Sequence, residues 1–169
     1  MRTLYLLRHA KSSWDHPALS DIERPLTPRG RRAAKQVADH LVRLGIEPEL
    51  VLCSTAVRTR ATLELVRPAL GDNSAVTLED GLYAASSGEL LDRIRRVPDA
   101  IASVMLIAHN PGLQQLALAL ASSGEELPRL ESKFPTAALA TLSIPETSWS
   151  RLARGDAFLT AFVVPKQLG

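Results

Sequence analysis

Apolar residues fall along this chain in two alternating patterns. Short unbroken apolar runs read as strands buried on both faces, and apolar residues spaced every three or four positions read as helices. Leu4 to Leu7 is the first buried run, and it delivers Arg8 and His9 into the turn that follows. Thr27-Pro28 reads as an N-cap with proline in the first helical position. Ala34, Val37, Leu41 and Leu44 then keep helical spacing up to Gly45, a stop signal. Glu49 to Leu52 is a second strand that ends at Cys53-Ser54. A helix from about Ala56 to Leu70 follows, with Ala61, Leu65 and Val66 towards a core, and Val76 to Leu78 is a third strand. Ser87 is the expected cap of a helix carrying Leu90, Leu91 and Ile94. Ser103 to Ala108 is a strongly buried strand, after which His109-Asn110-Pro111 opens a helix bearing Leu113, Leu116, Ala117 and Leu120. The chain ends in two strands, Ala138 to Ile144 and Phe158 to Val164, with Glu146 to Asp156 as a loop or hairpin connection.

Alternation of strand and helix predicts a three-layer αβα sandwich, a mostly parallel central sheet with helices on both faces. Ligands of such sheets bind beyond the carboxyl ends of the strands. Arg8-His9, Cys53-Ser54 and His109-Asn110 each follow an apolar strand directly, so all three are expected at one edge.

Composition narrows the picture further. A length of 169 residues suits one domain spanning 1–169. A formal charge of +2 does not point to nucleic acid; Arg29, Arg31 and Arg32 form a solvated helix face or meet an acidic surface. No apolar run has the length of a membrane span, and Arg8 interrupts the only candidate for a secretory signal. Cys53 is the single cysteine, which leaves no internal disulfide and no cysteine-based zinc site. A cytoplasmic protein is expected; the oligomeric state cannot be read from these features.

The residue types at the predicted edge suit phosphate. Arginine presents a planar fork of donors to phosphate oxygens. A neutral imidazole nitrogen can attack phosphorus and carry the phosphoryl group covalently. Arg8, His9, Arg58 and His109 together make a phosphate pocket with a nucleophile inside it. Cys53 offers a rival, because "CSTAVRT" is similar to the loop of cysteine phosphatases. However, four residues separate Cys53 from Arg58 where that loop has five, and no glycine eases the turn.

Four stretches carry a family resemblance: "LRHAKSSW" at residues 7–14, "RPLTPRG" at 24–30, "CSTAVRTRATLE" at 53–64 and "IAHNPG" at 107–112. In this order they resemble the histidine phosphatase superfamily, with its phosphoglycerate mutase-like fold, and most nearly its short bacterial phosphohistidine phosphatases. The resemblance implies that His9 is the phospho-accepting nucleophile. It implies that Arg8 and Arg58 hold the phosphoryl oxygens and that His109 donates to the transferring group. It also implies a metal-independent phosphatase with no cofactor, in which two arginines and a protonated histidine supply the positive field. Phosphohistidine in proteins is the implied substrate, and small phosphomonoesters are the alternative. A mutase or a non-enzymatic phosphate-binding module fits less well.

The chain departs from the family pattern at three places. Ala10 replaces the usual glycine. Asp15 stands where many members have asparagine. In "TLEDGLYA", Asp80 aligns with a glutamate of many members, which implies a proton donor; Glu79 is the neighbouring candidate, and two solvated loop acids are the alternative reading. Lys11, Ser12 and Ser54 touch phosphate or line its rim. Arg24 meets an acidic loop or the substrate, and Asn110 caps the helix at Pro111. Arg60, His16 and His40 read as surface residues.

Overall fold

The structure, a computed structural model, describes residues 1–146 and 148–169. Its centre is a seven-stranded sheet in the order β3-β2-β4-β1-β6-β7-β5. Arg2–Arg8 (β1), Leu50–Ser54 (β2), Ala75–Glu79 (β3) and Ser103–Ala108 (β4) run parallel. Leu139–Ile144 (β6) pairs antiparallel with β1, and Ala157–Val163 (β7) antiparallel with β6. The sheet is thus mixed, with its parallel part where the motifs lie.

Side-chain alternation divides the interior in two. Leu4, Leu6, Leu52, Val104 and Leu106 face one core, and Leu7, Val51, Met105 and Ile107 face the other. The first core is covered by Ser87–Arg95 (α3), Gly112–Leu120 (α4) and Leu127–Ser132 (α5), the second by Pro28–Leu44 (α1) and Val57–Val66 (α2). Fully burying each such Leu or Met side chain contributes about 1.5–3 kcal/mol, and this is what forces the strands to read as near-continuous apolar runs.

Most predicted boundaries shift by a residue or two, and some differ for a clear reason. Helix α2 ends at Val66 rather than Leu70, and Arg67–Ala69 continue as a 3₁₀ turn. Pro68 lacks the N–H for the next helical hydrogen bond. The cap of α3 is Ser86, not Ser87: its hydroxyl accepts from Glu89 N, and Glu89 returns a bond to the Ser86 N–H. Thr27 caps α1 as expected, and Gly45 ends it at φ 65°. The short strand Ala121–Ser123 (β5) and helix α5 fall where the apolar pattern shows no clear period. The connection from Glu146 to Asp156 contains Thr147, which lies outside the described residues, and a 3₁₀ turn at Trp149–Arg151. Trp149 is fully buried there, its indole N–H donating to the Ile101 carbonyl at 2.7 Å.

The "RPLTPRG" stretch braces the loop behind His9. Arg24 is buried and donates to Ser13 O at 3.0 Å and to Ser12 Oγ at 2.5 Å. Ser13 N donates to Pro25 O and Thr27 N to Lys11 O. Gly30 sits so close that a Cβ there would lie 2.2 Å from Lys11 O, so only glycine lets α1 start against this loop.

Candidate active site

The carboxyl ends of β1, β2 and β4 open on one cavity of about 890 Å³, lined in part by Arg8, His9, Arg58 and His109. The topology makes this unavoidable. His9 is the first residue beyond β1, His109 the first beyond β4, and Arg58 the second residue of the helix entered from β2. Arg8, His9, Arg58 and His109 are thus brought together as the spacing predicts.

His9 is buried, and its ring Nδ1 lies 2.7 Å from the Ala10 carbonyl oxygen. A carbonyl only accepts, so Nδ1 carries the proton and Nε2 keeps its lone pair. The His109 ring stands 5.4 Å away, centroid to centroid. His109 Nε2 is 2.8 Å from the hydroxyl of Ser54, a residue with no exposed surface. Arg8 donates from Nη1 to the Phe134 carbonyl at 3.0 Å. Arg58 is buried and forks onto Asp21, Nη1 to its backbone carbonyl at 2.7 Å and Nη2 to its carboxylate at 3.0 Å. Arg8 Nε and His109 Nδ1 are buried with no hydrogen-bond partner among the described residues.

Charge and burial set the protonation states. Burial first, then the neighbouring His109, Arg8 and Arg58, push the His9 imidazole down to about 3 against the Ala10 hydrogen bond. Burial, Arg58 and Arg8 push His109 down to about 4, with Asp21 opposing. The protonated histidine expected from sequence is therefore absent from the free site at neutral pH: two guanidiniums already supply its positive field. A neutral His9 is the nucleophilic form. Histidine NMR checks this, because the chain has only four histidines. The His9 and His109 ring signals are expected to stay those of neutral imidazole on acidification to about pH 5, more than one unit below the ordinary histidine range. A midpoint between pH 6 and 7 for either would show that neither burial nor the guanidiniums hold that ring neutral.

Sequence reading missed Asp21 and Tyr83. Asp21 is held by Tyr83 Oη at 2.5 Å, Arg24 Nη1 at 2.9 Å and Arg58 Nη2 at 3.0 Å. Tyr83 first, then the two arginines, keep its carboxyl well below the usual carboxylate range. The Tyr83 ring also stands edge-on to His109 at 5.5 Å. The three-residue spacing from Asp21 to Arg24 was a signal for a local pair, but nothing in the sequence links Asp21 to Arg58.

Asp80 lies elsewhere. It follows β3, is not among the residues lining the cavity, and accepts from Thr55 Oγ1 at 2.6 Å. Glu79 pairs with Arg93 at 2.7 Å, also away from the cavity. Asp15 is exposed and outside the lining, and Ser54 touches His109 instead of the cavity. Lys11, Ser12 and Arg24 do line it. Asn110 is not the cap of α4: the cap position falls on Pro111, which has no side-chain cap bond, and Asn110 Oδ1, one residue earlier, accepts from Gln114 N at 3.2 Å. His16 and Arg60 are exposed, whereas His40 is half-buried. Cys53 is fully buried in the core under α1 and α2, and burial pushes its thiol up to about 12. That removes the thiolate rival.

Fold and cavity together define a hydrolase that acts on phosphoryl groups, a phosphatase. The chain belongs to the Histidine phosphatase superfamily (branch 1), whose profile matches residues 4–103. His109 lies beyond the matched stretch. An uncharacterized protein of Mycobacterium tuberculosis is 35% identical over 164 residues, which is 95% of this chain and 100% of that one. A protein from Nakamurella multipartitia assigned as the phosphohistidine phosphatase SixA superposes with a TM-score of 0.81 at 32% identity, covering 97% of this chain and 96% of the other. The protein histidine phosphatase SixA complexed with tungstate superposes with a TM-score of 0.80 at 27% identity, covering 99% of both chains. Among the described residues no helix is long and apolar enough to cross a membrane.

Proposed function

We propose that this chain hydrolyses phosphohistidine in proteins through a covalent phosphoryl intermediate on His9, without a metal ion. The observation that carries the reading is the state of Asp21, the one carboxylate in the cavity lining among the described residues. Asp21 is bonded to Tyr83, Arg24 and Arg58 and is held ionised. It therefore has no proton to give to a departing alkoxide. A phosphohistidine leaving group needs none from the protein, because its other ring nitrogen can already be protonated.

In the first step the His9 Nε2 lone pair attacks phosphorus in line. The bond from phosphorus to the substrate imidazole breaks, and that imidazole leaves neutral with its own proton. Arg8 and Arg58 stabilise the charge spread over the equatorial oxygens. Arg8 and His109 both line the cavity, so their side chains stand where a phosphoryl group would be held. Ser54 donating to His109 Nε2 would leave Nδ1 as the protonated nitrogen of that ring. In the second step water attacks phosphorus, His9 leaves as neutral imidazole with Nδ1–H still on Ala10 O, and phosphate and the water proton are released. The SixA relative is complexed with tungstate, a tetrahedral oxyanion like phosphate, which supports a phosphoryl-binding role for this fold.

The test is kcat/KM for a phosphohistidine protein, an aryl phosphate and an alkyl phosphate. Phosphohistidine is expected first and the alkyl ester last, since a missing general acid costs about 10²–10⁴-fold. An alkyl ester hydrolysed as well as phosphohistidine would favour small phosphomonoesters instead. Asp80→Asn is expected to change the alkyl rate by no more than a few-fold, given its place outside the cavity. A loss on the general-acid scale, confined to the alkyl substrate, would restore Asp80 as proton donor.

A further inference from the structure

The cavity is much larger than a phosphoryl group, and its charge is one-sided. The whole chain nearly balances 20 Lys and Arg against 18 Asp and Glu, yet among the described residues the lining contains seven of the former and only Asp21 of the latter. Three of those cations, Arg8, Arg24 and Arg58, are held by hydrogen bonds. The other four, Lys11, Arg29, Lys133 and Lys166, are exposed, and none makes an ion pair or a side-chain hydrogen bond among the described residues. They come from four separate stretches: the loop after β1, the first turn of α1, the end of α5 and the 3₁₀ turn after β7. Like charges gathered without counter-ions disfavour the free protein, so a binding role is the physical reason to look for.

We propose that this rim is a docking surface for an acidic protein segment, one that carries carboxylates around the phosphorylated histidine; the proposal rests on the functional reading above. A second phosphate on a small molecule would call for fixed donors, as buried Arg58 is fixed. The four rim cations are long exposed side chains tied to nothing, which present charge without fixed geometry. Such surfaces steer and orient a broad partner of opposite sign. Trp14 belongs to the same mouth: 78% exposed, it lines the cavity with the Arg24 guanidinium 3.3 Å from its ring centroid. Exposed tryptophan and arginine are enriched where proteins meet proteins.

Two phosphohistidine peptides of equal length, one flanked by Asp and Glu and one by Lys, test the dock. At low salt the acidic peptide is expected to show kcat/KM at least about 10-fold higher, the scale on which steering raises encounter rates. That advantage should vanish at about 0.5 M salt, where screening is short-ranged, and in the variant Arg29→Glu/Lys133→Glu/Lys166→Glu. The unphosphorylated peptides are also added to hydrolysis of an aryl phosphate. The acidic one is expected to inhibit, less so in the triple variant, and the lysine one not at all. Equal kcat/KM for the two phosphopeptides overturns the dock while phosphohistidine hydrolysis stands. If neither phosphopeptide turns over, the functional reading fails, and inhibition alone decides the dock: inhibition that the triple variant weakens upholds it, and its absence overturns it.

Discussion

His9→Ala is expected to abolish turnover, by about 10⁴-fold or more on the scale of lost nucleophiles, while the protein remains folded. The ring makes one hydrogen bond, to Ala10 O, and its backbone N–H still donates to Ala108 O in the variant. The loop behind it is braced independently by Arg24 and Thr27. Rapid quench of the wild-type protein with a phosphorylated substrate should place the label on His9 in an acid-labile, base-stable bond. Label on Cys53, or on no residue at all, would overturn the covalent histidine mechanism. Cys53 is a weak competitor on physical grounds, since its thiol is buried in the core with its ionisation pushed up to about 12. Circular dichroism of the variant separates a lost nucleophile from a lost fold.

Arg58→Ala is expected to lose roughly 10²–10³ in kcat/KM, the scale for one preorganised charge donor. Two consequences follow together, because Arg58 is both a phosphoryl donor in the proposed mechanism and an anchor for Asp21. Without it, Asp21 keeps Tyr83 and Arg24 but faces the cavity with its negative charge less compensated. Arg58→Lys should recover only part of the loss: one ammonium cannot bond the Asp21 carbonyl and carboxylate and still present a fork to phosphate. The histidine signals give a second readout. Arg58 lowers both imidazoles, so the alanine variant should raise the titration of His109, for which Arg58 is the largest cause after burial. Full activity in the lysine variant, together with histidine titrations unmoved in the alanine variant, would place Arg58 outside the reacting group's reach.

The chain order of strands, helices and polar strand ends was legible because each is a local property. An apolar run flanked by Arg-His states both a buried strand and where it stops. The parallel-sheet rule then puts His9, Arg58 and His109 on one edge without any knowledge of distances. Thr27 and Gly45 were readable for the same reason, since a cap needs only its own first or last turn. Tertiary structure alone decided the rest. Whether an acid reaches the cavity depends on how the loop before α1 folds across to α2, which brings in Asp21 and leaves Asp80 on Thr55. The protonation of His109 depends on the summed field of burial and two guanidiniums from distant parts of the chain. Trp149 is buried by packing against a strand end some fifty residues earlier. The reversal of β6 against β1, which makes the sheet mixed, likewise has no local signature. Short-range pattern specifies elements and their ends; the field and the contacts at a site are sums over residues far apart in sequence, and only the folded chain performs that sum.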